Sequence, residues 1–224
     1  ETMLADSARG FLDKSAPVKA FRDLRDAGQT HDAKMWKEMA AMGWAGVLVP
    51  ESAGGVDMGH AAAGILAQEM GKTLAVSPFL STAVIAATAL RHVSDARAEA
   101  ALAKIASGDA TYALAVDETS KFNPDATAMT ATAEGNGFRL TGKKTFVVDG
   151  TLADRLLVLA KTDNGLTLFD IPADRAGITR NAQNMIDARD SARIDFDNVE
   201  ATGDDVLGQV DDAMTVLKPA IEAG

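Results

Sequence analysis

His31, His60 and His92 are the side chains best suited to bind a metal or move a proton near neutral pH. They stand alone, without the paired spacings that ligate zinc, and incidental surface or capping roles suit them. No cysteine is present, which removes thiolate metal sites, cysteine nucleophiles and disulfides. Gly135-Asn136-Gly137 matches part of a dinucleotide-binding fingerprint, but it lies between two strand-like runs, where a phosphate loop would open a helix. A hairpin turn is the better account. There is no Gly-x-Ser-x-Gly elbow and no Walker loop. Glu69 and Glu118 are expected in ordinary surface or capping roles. The acidic pairs Asp204-Asp205 and Asp211-Asp212 are expected in water or in the first turn of a last helix. No residue can be named as catalytic, and no metal site is expected.

The elements that would position a site fall into two halves. From Glu1 to about Ser107 the pattern is helical. Asp32 predicts an N-cap for a helix presenting Met35, Trp36 and Met39, closed by Gly43. A second helix carries Ala62, Ile65, Leu66, Glu69 and Met70 and ends near Gly71. Ser81 to Leu90 is almost uniformly apolar, as in a buried helix. Asp95 caps a helix through Ala98, Leu102 and Ile105, stopped by Gly108.

From Ala110 the period becomes two. Thr127 to Thr132 reads as a strand, residues 134–137 as a turn, and Phe138-Arg139-Leu140 as extended again. Runs 155–160 and 166–171 flank Asp163-Asn164-Gly165, a hairpin signal. Ala192, Ile194 and Phe196 alternate with Arg193, Asp195 and Asp197, giving one dry face. The expected class is α+β: an N-terminal α-helical domain over 1–108, then an antiparallel β-barrel or sandwich domain over 109–210. Residues 211–224 are expected to begin a truncated third helical domain, with nothing to pack against. At 224 residues and net charge −10, with a pI near 4.7, a nucleic-acid footprint is not expected. No apolar stretch is long enough to span a bilayer and the first residues do not read as a signal peptide, so a cytoplasmic protein is expected.

Four segments carry a resemblance. Trp36 to Gly46, followed by Val49-Pro50-Glu51-Ser52-Ala53-Gly54-Gly55, Glu69-Met70-Gly71-Lys72 and Ser77-Pro78-Phe79, is similar to the amino-terminal helical domain of the acyl-CoA dehydrogenases. Tyr112 to Asp125 resembles the start of that family's flavin-binding β domain. Leu140 to Gly150 resembles its strand with an aromatic residue against the flavin. Phe196-Asp197-Asn198-Val199 with Val206-Leu207-Gly208 is similar to the stretch that closes the domain.

The resemblance implies non-covalent FAD and desaturation of an acyl-CoA thioester between its α and β carbons. A Glu takes the α proton and flavin N5 the β hydride. It places Leu114, Ala115, Val116 and Asp117, and then Phe146, Val147 and Val148, as cofactor-binding residues, with Asn123 toward the CoA substrate. An electron-transfer flavoprotein or similar acceptor and a homo- or hetero-oligomer are the implied partners. Two departures stand out. Asp117 replaces a Thr, and an ionised carboxylate cannot donate to the flavin's pyrimidine carbonyls. Val148 replaces a hydroxyl residue that faces N5. Family members continue for about 150 more residues, a typical domain, and that part holds the catalytic Glu. The 224 residues are therefore expected to be inactive alone. The alternative reading is a non-catalytic subunit with weak or no flavin binding that supports an active partner; an acyl-CoA oxidase is a third.

Overall fold

The computed structural model describes residues 2–224. Helices α1 (Thr2–Ser15), α2 (Val18–Asp26), α3 (Ala33–Ala41) and α4 (Gly59–Thr73) come first. A π-helical segment, Phe79–Ala86, then runs directly into α5 (Ala87–Arg91), and α6 (Ala96–Ala106) completes the helical layer. The caps follow local chemistry. The Asp32 carboxylate accepts from the Lys34 and Met35 amides, and Asp95 accepts from Ala98. Helix α4 runs past Gly71 to Thr73 and closes on Leu74 in the left-handed region, so its end lies beyond the position that the glycine suggested.

Seven strands follow: β1 (Tyr112–Ala115), β2 (Thr130–Glu134), β3 (Gly137–Val148), β4 (Arg155–Lys161), β5 (Leu166–Pro172), β6 (Ile178–Ala182) and β7 (Ser191–Thr202). They form one curled sheet in the order β1-β4-β2-β3-β7-β6, with β5 on the other side of β4. Pairing is antiparallel except that β1 runs parallel to β4, with a single parallel bridge between β2 and β4. The hairpin at 163–165 joins β4 to β5 as its turn residues require. Strand β6 carries no apolar alternation, and only its partner β7 makes it a strand.

Strand β4 is the seam of the molecule. Leu157 and Leu159 join the helical core, while Leu156, Val158 and Ala160 fill the curl of the sheet with Ile194, Phe196 and Phe169. Both faces of β4 are dry, so its sequence reads as a continuous apolar run. Helix α7 (Ala213–Ala223) does find a partner, contrary to expectation: Ala213, Val216, Leu217 and Ala220 are buried in the helical core. One acid departs from the sequence reading: Asp205 is buried, pairs with the Arg175 guanidinium at 2.6 Å and completes a capping box with Thr202. Asp211 is exposed, as expected, and accepts from the Thr162 hydroxyl.

Thr127 to Met129 lies outside the strand predicted there. Pro124–Ala126 forms a short 3-10 turn that Thr127 closes through its hydroxyl on the Pro124 carbonyl. The amides of Ala128 and Met129 bind the Glu118 carboxylate, so ladder pairing begins only at Thr130. Met129 also crowds Gly142, whose φ is +149° and where a Cβ would stand 2.8 Å from Met129 Cα. Gly142→Ala is expected to cost on the order of 2 kcal/mol, lowering the melting temperature by roughly 4–8 °C in a thermal unfolding scan.

Candidate active-site cleft

A shallow cleft of about 130 Å³ lies between the π-helical segment and one face of the sheet. Leu114 and Val116 form one wall, Phe146 and Val148 the other, and Ile85 and Ser81 reach it from the π-helical segment. Phe122 stands at the mouth, 57% exposed. A π turn is wider than an α turn and tends to occur at functional positions.

The walls are set by strand geometry. Along β1, Leu114 faces the cleft and Ala115 the interior of the sheet. On β3, Phe146 and Val148 face outward and Val147 is buried. Of the residues that the sequence placed at a cofactor, the structure therefore brings together Leu114, Val116, Asp117, Phe146 and Val148. The side chains of Ala115 and Val147 point into the core, so they can offer a ligand only their backbone. Asn123 is exposed ahead of the Pro124 turn and does not line the cleft.

The two walls are pinned together by a buried ammonium. Lys144 has no exposed surface, and its Nζ donates to the Val116 carbonyl at 3.0 Å and to Glu118 Oε1 at 2.8 Å. Burial pulls the lysine below its usual value, and Glu118 and Asp117 offset part of that. Burial pushes Glu118 up, but the hydrogen bonds from Lys144 and from the Met129 and Ala128 amides outweigh it and hold the carboxyl below the usual range. The Asp117 carbonyl accepts from the Thr145 amide at 2.7 Å, which closes the junction.

Asp117 is the polar group of the cleft. Its Oδ1 is buried and has no hydrogen-bond partner, and burial raises its pKa against the opposing pull of Lys144. Phe146 has φ +53°, and its amide leaves the ladder to bind Gln183 Oε1 at 2.8 Å. Deeper in, Ser81 Oγ donates to Asp149 Oδ2 at 2.6 Å. Asp149 is almost wholly buried, and desolvation raises its carboxyl to about 6 against the Ser81 hydrogen bond and the charge of Arg189. Sequence reasoning missed Ser81, Lys144, Asp149 and Gln183. Ser81 and Thr82 break an apolar run, and Lys144 sits mid-strand; those were the available signals.

Residues 1–109 match the family model described as "Acyl-CoA dehydrogenase, N-terminal domain". The acyl-CoA dehydrogenase FadE27 of Mycobacterium tuberculosis is 32% identical over 162 residues, covering 72% of this chain and 42% of the relative. The chain belongs to the acyl-CoA dehydrogenase family. A chain of the ChsE4-ChsE5 complex from Mycobacterium tuberculosis superposes with a TM-score of 0.86 at 25% identity, covering 96% of this chain and 58% of that one. A glutaryl-CoA dehydrogenase from Mycobacterium smegmatis, solved in complex with FADH2, shares the fold with a TM-score of 0.83 at 21% identity, over 98% of this chain and 58% of that one. The chain spans about half the length of the curated relatives it matches. No helix of the described residues is long and apolar enough to cross a membrane.

Two outcomes follow from the buried charges. Glu118→Gln leaves the Lys144 ammonium without its counter-charge and is expected to cost on the order of 3 kcal/mol in urea unfolding, whereas the exposed Glu134→Gln is expected to cost under about 0.5. Asp149 holds its proton more tightly folded than unfolded. Its contribution to stability is therefore present below about pH 4 and lost as pH rises through about 6. Asp149→Asn, which keeps an acceptor for Ser81, is expected to raise the melting temperature at pH 8 and to lose that advantage by pH 4. A pH-independent difference would contradict this account.

Proposed function

We propose that these residues form the flavin-facing part of an FAD-dependent dehydrogenase that introduces the α,β double bond of an acyl-CoA thioester. One observation carries this reading: an unpartnered, buried carboxylate oxygen, Asp117 Oδ1, set in an apolar cleft between Val116 and Phe146. An isoalloxazine ring is flat and apolar on its faces and carries an N–H donor on its pyrimidine edge. The cleft suits both properties, since Leu114, Val116, Phe146 and Val148 give a dry wall and Asp117 gives one acceptor. When bound, FAD supplies the hydride acceptor that no side chain can provide.

The chain's own residues contribute support and exclusion. Phe146 and Val148, exposed in this structure, offer an apolar face for a ring to cover, and the Lys144–Glu118 pair fixes the distance between the cleft walls. The backbones of Ala115 on β1 and Val147 on β3 contribute to the cofactor contacts in this reading, and Asn123 lies toward the CoA end. As the family resemblance implies, the α proton is taken by a Glu outside these residues; among the described residues Asp117 is the sole carboxylate lining the cleft. A thioester α proton becomes acidic enough for a carboxylate only when donors hold the developing enolate oxygen. At about 130 Å³ the cleft falls well below the roughly 300 Å³ at which small-molecule sites begin, so a second surface must cover a bound ring. An oligomer, an acyl-CoA substrate, an electron-transfer flavoprotein or similar acceptor and a cytoplasmic setting belong to the same proposal, as does the division at 108/109 and 210/211.

The supporting-subunit reading is favoured by two residues. Val148 offers no hydroxyl, and Asp117 offers no donor when ionised. A single comparison separates the two readings. FAD is added to the protein expressed from its whole reading frame, free flavin is removed, and the visible spectrum is followed as acyl-CoAs are added. Retained flavin that bleaches on one thioester supports the dehydrogenase; a colourless protein supports the subunit. The substitution Val148→Thr, which adds a hydroxyl to the cleft wall, is expected to tighten FAD by up to about tenfold, the worth of one hydrogen bond.

A further inference from the structure

Two hydroxyls interrupt the apolar π-helical segment, and each ties it to a different wall of the cleft. Thr82 Oγ1 accepts from the Tyr112 amide at 2.9 Å, which anchors the start of β1 and so the wall of Leu114 and Val116. Ser81 Oγ donates to Asp149 Oδ2, which anchors the end of β3, one residue past Val148. Both hydroxyl residues are buried. Neighbouring residues of one π turn therefore hold both walls.

The two anchors differ in kind. No proton gained or lost near neutral pH alters the Thr82 bond, whereas the Ser81 bond ends on a carboxyl group. The Asp149 backbone is fixed: its φ is +58°, its amide donates to the Asp190 carbonyl at 3.1 Å and its carbonyl accepts from the Ala153 amide at 3.0 Å. Among the described residues its side chain bonds Ser81 alone. The charges that act on it come from the segment before β7, where Arg189 attracts the ionised form and Asp190 opposes it. Asp190 is itself held by the Thr151 amide at 2.9 Å, and Arg180 is turned to the carbonyls of Gly150, Thr151 and Ala153. The π-helical segment brings no charge of its own.

A serine has one hydrogen to give. With Asp149 ionised, that hydrogen goes to the carboxylate in a charge-assisted bond. With Asp149 protonated, the carboxyl gives its own hydrogen to Ser81 Oγ. The serine hydrogen then turns to the Pro78 carbonyl, 3.3 Å away at the head of the π turn. The bond between β3 and the segment becomes a neutral one and weakens. We propose that Asp149 is a positioning residue of the cleft: ionised, it holds the Phe146–Val148 wall against the π-helical segment through Ser81, and protonated, it lets that wall and Ile85 part while Thr82 keeps the other wall in place. Burial pushes the Asp149 carboxyl up to about 6, so the two forms exchange just below neutral pH. What the cleft holds rests on the dehydrogenase reading; the positioning does not.

The test follows the Ile85 δ-methyl and the Asp149 carboxyl carbon by NMR between about pH 5 and 8, in the protein expressed from its whole reading frame, with Ile85→Val to assign the methyl signal. In the wild type both signals are expected to titrate together with a midpoint near 6. In Ser81→Ala the carboxyl is expected to titrate at higher pH, having lost a bond that favours its charged form, while Ile85 stays still. Asp149→Asn is expected to leave Ile85 independent of pH, and Ser81→Thr, which keeps a hydroxyl, to restore the joint titration. A merely structural contact would alter stability in these variants without linking the two signals. FAD affinity over the same range is expected to rise roughly threefold in the wild type, part of the difference between a neutral and a charge-assisted hydrogen bond, and to stay flat in Asp149→Asn. An Ile85 signal that titrates equally in Ser81→Ala, or an FAD affinity as flat in the wild type as in Asp149→Asn, overturns the proposal. Linked titration of Ile85 and Asp149 with no FAD bound at any pH leaves the positioning standing and removes the dehydrogenase reading.

Discussion

The buried ammonium of Lys144 is the constraint around which the site is arranged. A charged amine taken out of water is expensive, and only well-placed acceptors make it tolerable. The Val116 carbonyl is one acceptor and brings the end of β1 against β3. The Glu118 carboxylate is the other, and it must leave solvent to reach the amine. Once there, its remaining lone pairs are taken by the Ala128 and Met129 amides, so a ten-residue excursion closes on the same carboxylate. One amine therefore sets the spacing of both cleft walls and the point where β2 begins. Such a pair is weak evidence for net stability, since an apolar replacement could pack as well. Its value is positional.

A bulge decides what the walls are made of. Between Lys144, opposite Ile194, and Val147, opposite Ala192, β3 spends three steps where β7 spends two. Before the bulge the inward residues are Leu140 and Lys144; after it the inward residue is Val147. The phase of the strand has slipped by one, which turns Phe146 and Val148 outward. The positive φ at Phe146 is the local form of that slip, and the Gln183 side chain satisfies the amide that left the ladder. An unbroken strand would have buried both side chains and left no cleft.

The same two features explain how much was legible in the sequence. Helix caps were readable because Asp32 and Asp95 act on amides two or three residues away. The 163–165 hairpin and the alternation of β7 are equally local. The helix-then-sheet order and the family resemblance followed from such segments. Thr127 to Met129 was misread because its amides answer to a carboxylate ten residues away, which no periodicity records. The burial of Lys144, the parallel β1–β4 pairing and the packing of α7 are likewise set by distant chain. Asp117 was recognisable as a departure, but its unpartnered oxygen depends on what surrounds it.

The departures at Asp117 and Val148 sit on a framework that is otherwise intact. The pinned walls, the bulge, the π turn and the Ser81–Asp149 contact at the seam are all present. Loss of flavin binding by decay would first loosen such features, because a buried lysine without its partner and a left-handed phenylalanine without its glutamine are costly to keep. Instead the strain is retained, and under the proposed reading only the chemistry of two ligand-facing positions differs, a pattern that supports altered contacts over an abandoned cleft. The Asp117 carboxylate is held by Lys144 on one side and by desolvation on the other, and these push its protonation in opposite directions.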